Sequence, residues 1–176
     1  MSAVRYVAFL GGINVGGHRV KMDRLRDEFA DLGCADVSTF IASGNVIFTS
    51  SRRAGPIERD VEARLGAALG YSVPTFVRRA ADIAAISSRE PWGAVPDGHT
   101  LVVWFLRDTP DAATAAATTA LSSGQDRFGL FGRELYQQIG GRTMDSSVKP
   151  STLSRAIAQP ATARNTTSLR RLAAAL

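Results

Sequence analysis

The chain has 176 residues, 45% hydrophobic and 21% charged, with a mean hydropathy of −0.01. That composition excludes a disordered tail and a membrane-embedded chain and suits one compact domain or two small halves. Lys and Arg number 21 against 16 Asp and Glu, giving a net charge of +5 and an isoelectric point near 10.1, a balance that suits a polyanionic partner.

The apolar run from Val4 to Leu10, stopping at Gly11-Gly12, predicts a buried strand. A glycine-rich loop follows, and Met22, Leu25, Phe29 and Leu32 then recur at helical spacing up to a capping Gly33. Val37 to Ala42 and Asn45 to Thr49 read as two strands joined at Ser43-Gly44. Gly55-Pro56 opens a helix, with Pro at its first position and an end at Gly70. Tyr71 to Val77 reads as a strand that Pro74 confines to an edge or a strand start. The order is βαββαβ, the split βαβ or ferredoxin-like arrangement.

A short helix, Ala80 to Ser88, leads to a Pro- and Gly-rich stretch, and the pattern then restarts. Thr100 to Leu106 reads as a strand and Asp111 to Leu121 as a helix. Arg127 to Phe131 and Glu134 to Ile139 make a hairpin about Gly132-Arg133. Ser151 to Ala158 begins another helix, and Leu169, Leu172, Ala173 and Leu176 mark a last one. The expected architecture is α+β, with two ferredoxin-like halves (1–88 and 99–176), a linker at 89–98, antiparallel sheets and helices packed on one face of each. The duplication rests on element order alone.

The amino terminus carries no signal pattern, and no stretch approaches the ~18 apolar residues of a membrane span. The single cysteine, Cys34, fits a reducing compartment and reads as a small buried hydrophobe. A cytoplasmic protein without a membrane partner is expected. His18 and His99 are the only histidines and lack carboxylates at ligand spacing, so neither metal nor cofactor is expected.

Charge is unevenly placed. Residues 1–145 hold 16 basic and 16 acidic side chains, so the whole excess lies in Lys149, Arg155, Arg164, Arg170 and Arg171. These read either as a basic patch for phosphates and nucleic acid or as a solvated helical face.

Four segments together resemble one family: Val7 to His18 (VAFLGGINVGGH), Val20-Lys21-Met22, Phe40 to Phe48 (FIASGNVIF) and Thr162-Ala163-Arg164-Asn165. They look like the bacterial domain of unknown function sixteen ninety-seven. The resemblance implies a two-part α+β fold in a cytosolic bacterial protein and supplies no activity. This chain has Gly11 where the family usually has Arg, and Thr166 where it usually has Trp.

The loop from Gly11 to His18 matches neither the P-loop nor the dinucleotide fingerprint, yet it joins a strand end to a helix, where main-chain amides can cradle a phosphate. The candidate anion site comprises Gly12, Asn14, Gly16, Gly17, Lys21, Ser43, Asn45, Arg164 and Asn165. Its ligand would be a phosphate-bearing small molecule or nucleotide, with no reaction assigned. Turn chemistry explains Asn45 and N-capping explains Asn165 equally well. Arg164 beside a helix start opposes the dipole unless an anion or an acidic partner sits there or the side chain lies in solvent. The rivals are nucleic-acid binding through Lys149, Arg155, Arg170 and Arg171, and a non-enzymatic interaction module. Trp92 and Trp104 read as packing, and exposed sheet aromatics would hint at RNA.

Overall fold

The computed structural model describes residues 2–14, 17, 19–41 and 44–176. Six elements build the first half: β1 (Val4–Leu10), α1 (Met22–Asp31), β2 (Ala35–Phe40), β3 (Asn45–Ser50), α2 (Ala54–Leu69) and β4 (Thr75–Arg79). After α3 (Ala80–Ser88) the order repeats in β5 (Thr100–Leu106), α4 (Ala112–Thr119), β6 (Asp126–Phe131), β7 (Glu134–Ile139), α5 (Pro150–Ile157) and β8 (Ala161–Asn165). The helix α6 (Thr166–Ala174) follows. The sheets run β2-β3-β1-β4 and β6-β7-β5-β8, antiparallel throughout. The expected pair of similar α+β halves is therefore present.

The chain divides into two compact units, one ending at Ile83 and one spanning Ala84–Ala175. The division falls inside α3, so the 89–98 stretch belongs with the second unit. Its attachment is visible at Glu90, which Arg170 reaches at 3.3 Å.

Alternation along the strands sets the core of each half. Tyr6, Ala8, Leu10, Val46 and Phe48 turn one face of the first sheet toward Leu25 and Phe29 of α1 and toward Ile57, Val61 and Leu65 of α2. Phe48 stacks on Tyr6 with ring centroids 5.6 Å apart and meets Phe29 at 5.3 Å. In the second half Leu106, Phe128 and Leu135 meet Leu153 and Ile157 of α5 in the same way.

Several limits differ from expectation for local reasons. β2 stops at Phe40 because Ile41 (φ 50°) already turns the chain into the hairpin. α2 starts at Ala54, which moves Pro56 to its third position. Pro74 precedes β4 rather than interrupting it, and β4 is an edge strand. β8 completes the order expected of the second half, but no local pattern located it: Ala161 to Asn165 has little strand character and is held by its ladder to β5.

Two glutamates of α2 cover the β4 edge. Glu58 Oε1 accepts the Val77 amide and Glu62 Oε1 the Thr75 amide, both at 2.7 Å. Carboxylates four apart on a helix share a face, as amides two apart do on a strand, so the spacings match. The duplication also reaches single residues. Val7-Ala8-Phe9-Leu10 of β1 and Val103-Trp104-Phe105-Leu106 of β5 share V-x-F-L, and Val7 pairs with Arg78 as Val103 pairs with Arg164.

Candidate functional site

The glycine-rich loop and the hairpin turn of the first half meet at one end of its sheet. Phe9 pairs with Asn45, the Leu10 amide donates to the Gly44 carbonyl at 2.8 Å, and the Gly11 amide donates to the Pro74 carbonyl at 2.7 Å. Gly44 has φ 75°, and a Cβ there would lie 2.9 Å from Ile13 Cγ2, so glycine is required both by conformation and by space. Gly11 faces a milder version of the same crowding, since a Cβ would lie 3.3 Å from the Pro74 carbonyl oxygen. A side chain at this position would need Pro74 to give by a few tenths of an ångström.

Asn14 takes a left-handed φ of 57°, and its Oδ1 accepts the Val20 amide at 2.8 Å, closing the loop on itself. Asn45 is buried and its Nδ2 donates to the Phe40 carbonyl at 3.3 Å across the turn. Gly12 and Gly17, both at positive φ, and Lys21, the residue before α1, are exposed. Gly16 and Ser43 lie outside the described residues, as do Val15, His18 and Ala42. Cys34 is buried, and burial pushes its thiol pKa up against the smaller opposing effect of Arg52.

Arg164 and Asn165 belong to the second half. Asn165 caps α6, its Oδ1 accepting the Ser168 amide at 2.7 Å, as capping alone would have it. Arg164 lies beside the helix start, one residue before the cap, and is the penultimate residue of β8. Its Nη1 donates to Thr162 Oγ1 at 3.0 Å and to the Ala163 carbonyl at 2.8 Å, which ties the guanidinium back along β8. Burial pushes its pKa down to about 10. Arg78 repeats the arrangement in the first half, donating to the Val77 carbonyl at 3.0 Å, with Glu58 3.9 Å away.

Beside the start of α6 lies a polar cleft of about 390 Å³, lined by Asp97, His99, Asn165, Thr166, Thr167 and Arg170 among others. The Thr166 and Thr167 amides are first-turn donors with no intrahelical partner. Thr166 Oγ1 donates to the Leu101 carbonyl at 3.2 Å, fixing the helix start against β5. Arg170, one turn along, lines the cleft while one terminal nitrogen reaches Glu90 at 3.3 Å in a part-exposed pair.

A second, mostly apolar groove of about 300 Å³ runs between Trp104 and Leu153 on one side and Met144, Val148 and Lys149 on the other. Its polar floor is a network centred on buried Asp126. Gln137 Nε2 and Ser146 Oγ each donate to Asp126 Oδ1 at 2.8 Å, and the Ser147 amide donates to Oδ2 at 2.7 Å. Trp104 Nε1 donates to Gln137 Oε1 at 2.9 Å. Burial pushes the Asp126 carboxyl up, but the hydrogen bonds from Ser147, Gln137 and Ser146 together outweigh it and hold it below the usual carboxylate range. Nothing in the sequence pattern marked Asp126 or His99.

The basic carboxy-terminal residues are spread over α5, β8 and α6. Lys149 precedes α5 and Arg155 lies in it, Arg170 and Arg171 ride on α6, and Arg164 is largely buried. Arg155 and Arg171 each occupy a last helical turn, where a cation complements the dipole. Among the described residues no three His, Cys, Asp or Glu side chains gather as a metal site, and no helix is long and apolar enough to cross a membrane.

A family model described as "Protein of unknown function (DUF1697)" matches residues 3–136. The chain belongs to this family. A solved structure, of a conserved bacterial protein from Streptococcus pneumoniae, superposes with a TM-score of 0.75 at 21% identity, covering 98% of both chains. That likeness establishes that the two-part fold is shared over essentially the full length. No curated protein matches the chain. Of the family segments, the strands and turn of the first half lie within the matched range; the cleft at α6 straddles its limit, with Asp97 and His99 inside and Asn165 to Arg170 beyond it.

Proposed function

We propose that this protein binds a phosphate-bearing small molecule or nucleotide in the cleft at the start of α6. The observation that carries the reading is that Thr166 and Thr167, at the start of α6, and Arg170 line one polar cleft. Amides at a helix start and a cation one turn along act on the same phosphate, and the dipole adds to both. The cleft, at about 390 Å³, falls within the ~300–1,000 Å³ range of small-molecule sites. His99 adds a ring with a donor and an acceptor. Asp97 favours a ligand that also carries donors, as the hydroxyls and exocyclic amines of a nucleoside do.

In the first half the same chemistry rests on Gly12, Gly17 and exposed Lys21 at the start of α1. Asn14 and Asn45 bond to the main chain there, which suits a closed loop more than a ligand.

The test is a thermal-shift and calorimetric titration with inorganic phosphate, mono- and triphosphate nucleotides and sugar phosphates at low salt. The wild-type protein is expected to respond, Arg170→Ala to weaken binding about tenfold, and Glu90→Gln to strengthen it by no more than about fivefold, since an exposed ion pair contributes only ~1 kcal/mol. Loss of the response in Lys21→Ala with Arg170→Ala unchanged would move the site to the first half. Absence of any response in a folded sample would end the proposal.

A further inference from the structure

Edge strand β6 of the second sheet carries an exposed arrangement that the cleft does not use. Arg127, Gly129 and Phe131 alternate with buried or half-buried Phe128 and Leu130, so all three face the same side, away from α5. Gly129 makes room there: a Cβ would lie 3.1 Å from Trp92 Cζ2 and 3.3 Å from Phe131 Cε2. Two rings therefore lie directly on the strand where a side chain would otherwise stand. Each ring also carries an arginine. The Arg127 guanidinium lies 5.6 Å from the Trp92 ring and the Arg89 guanidinium 4.7 Å from the Phe131 ring.

The arrangement is braced from below. Tyr136, cross-strand from Gly129, meets Phe131 edge-on with centroids 5.5 Å apart. Its hydroxyl holds the Ile86 carbonyl and so brings the chain from α3 to Arg89 and Trp92 over the strand. Phe131 is nevertheless 36% exposed, and Arg89 and Arg127 are exposed beside it. Glu134 lies cross-strand from Phe131 and is half-buried.

We infer that this face, with Trp92 and Phe131 as stacking platforms and Arg89 and Arg127 as phosphate contacts, binds single-stranded nucleic acid along β6. Positions two apart on a strand are separated by about 6.8 Å, so a chain lying along β6 meets rings and cations in turn. An arginine over an exposed ring is worth only ~0.5–1 kcal/mol, so the Arg127 guanidinium can swing from the Trp92 ring to a phosphate and open a π face to a base, while Arg89, which also hydrogen-bonds Tyr136, offers its remaining donors in place. An apolar protein surface would have to cover two exposed guanidiniums without answering their charge. A strand of stacked bases and phosphates answers both components, and such binding tolerates sequence.

The test is fluorescence anisotropy of the full chain with a labelled 12-mer of uridine, the equivalent thymidine 12-mer and a duplex of the same length, at about 25 mM and 200 mM salt. Expected are binding of both single strands in preference to the duplex, weakening with salt, and about tenfold weaker binding in Phe131→Ala, within the range of a lost stacking contact. Phe131→Leu keeps the apolar volume without the ring and is expected to weaken binding as much, which keeps the test valid if the alanine variant is unstable. Arg127→Gln should reduce both affinity and salt dependence. Binding that survives in both Phe131 variants, a duplex bound as tightly as the single strands, or loss of binding only in Arg170→Ala/Arg171→Ala would each overturn the assignment, as would no binding at low salt. Because phosphate binding at α6 is read with Arg170→Ala and free nucleotide, failure there leaves this result standing, and the converse holds.

Discussion

Single residues decide how the 143–149 segment is held. Asp126 is fully buried and its carboxylate receives donors from Ser146, Ser147 and Gln137. Replacing it with asparagine keeps the shape but puts an amide where a donor already points. Asp126→Asn is expected to cost about 1–3 kcal/mol at neutral pH. The folded carboxyl titrates below its unfolded value of about 3.9. Its stabilisation is therefore complete above that value and disappears as pH falls through the lowered one. Chemical denaturation of wild type and variant at pH 7 and pH 3 should show the gap narrow at acid pH. At this scale the sequence was legible where a residue acts through its neighbours in the chain: the Asn165 cap follows from its place before a helix. It was silent on Arg164, whose burial depends on a ladder with β5 that no local pattern announces, and on Asp126, whose partners come from two distant segments.

Elements were legible where periodicity was strong. β1, α3, β5 and β7 coincide with their expected limits: apolar runs mark β1 and β5, and the Gly132-Arg133 turn and Gly140-Gly141 bound β7. β8 escaped because its five residues are polar or small and its conformation comes from pairing alone. The α2 clamp on β4 escaped for a related reason, since Glu58 and Glu62 look like ordinary charged helix positions until β4 is alongside. An open edge is a template for pairing with another chain, and here helix carboxylates occupy two of its amides. Glu62→Met, which leaves Arg78 and Glu58 in place, is expected to cost about 1–3 kcal/mol and to give self-association that grows with concentration. Sedimentation velocity together with denaturation would check both. A variant as stable and monomeric as wild type would show that the clamp is incidental.

On the scale of the whole molecule the two halves share strand order, central pairings and a buried arginine at the same register, while their loops and helix starts differ. This predicts one protection pattern repeated twice in hydrogen exchange. β1 and β3 in the first half, and β5 and β7 in the second, should exchange slowest because they are flanked on both sides. β2, an edge strand with largely exposed side chains, should exchange fastest in its sheet. The Thr75 and Val77 amides of edge strand β4 should nonetheless be slow, and Thr75 should lose that protection in Glu62→Met. The charge excess likewise changes meaning in three dimensions. Five cations close in sequence become one largely buried arginine and four side chains distributed over two helices. The exposed arginines with aromatic company, Arg89 and Arg127, come instead from the part of the chain that is neutral overall.

The chain of contacts from Trp104 through Gln137 to Asp126 and the Ser146-Ser147 turn makes one indole an optical gauge of that turn. Trp104 emission depends on an environment that the Asp126 network keeps dry on one side and hydrogen-bonded at the nitrogen. With Trp92 replaced by phenylalanine, a red shift on acidification or in Asp126→Asn would report the turn letting go before the sheet unfolds.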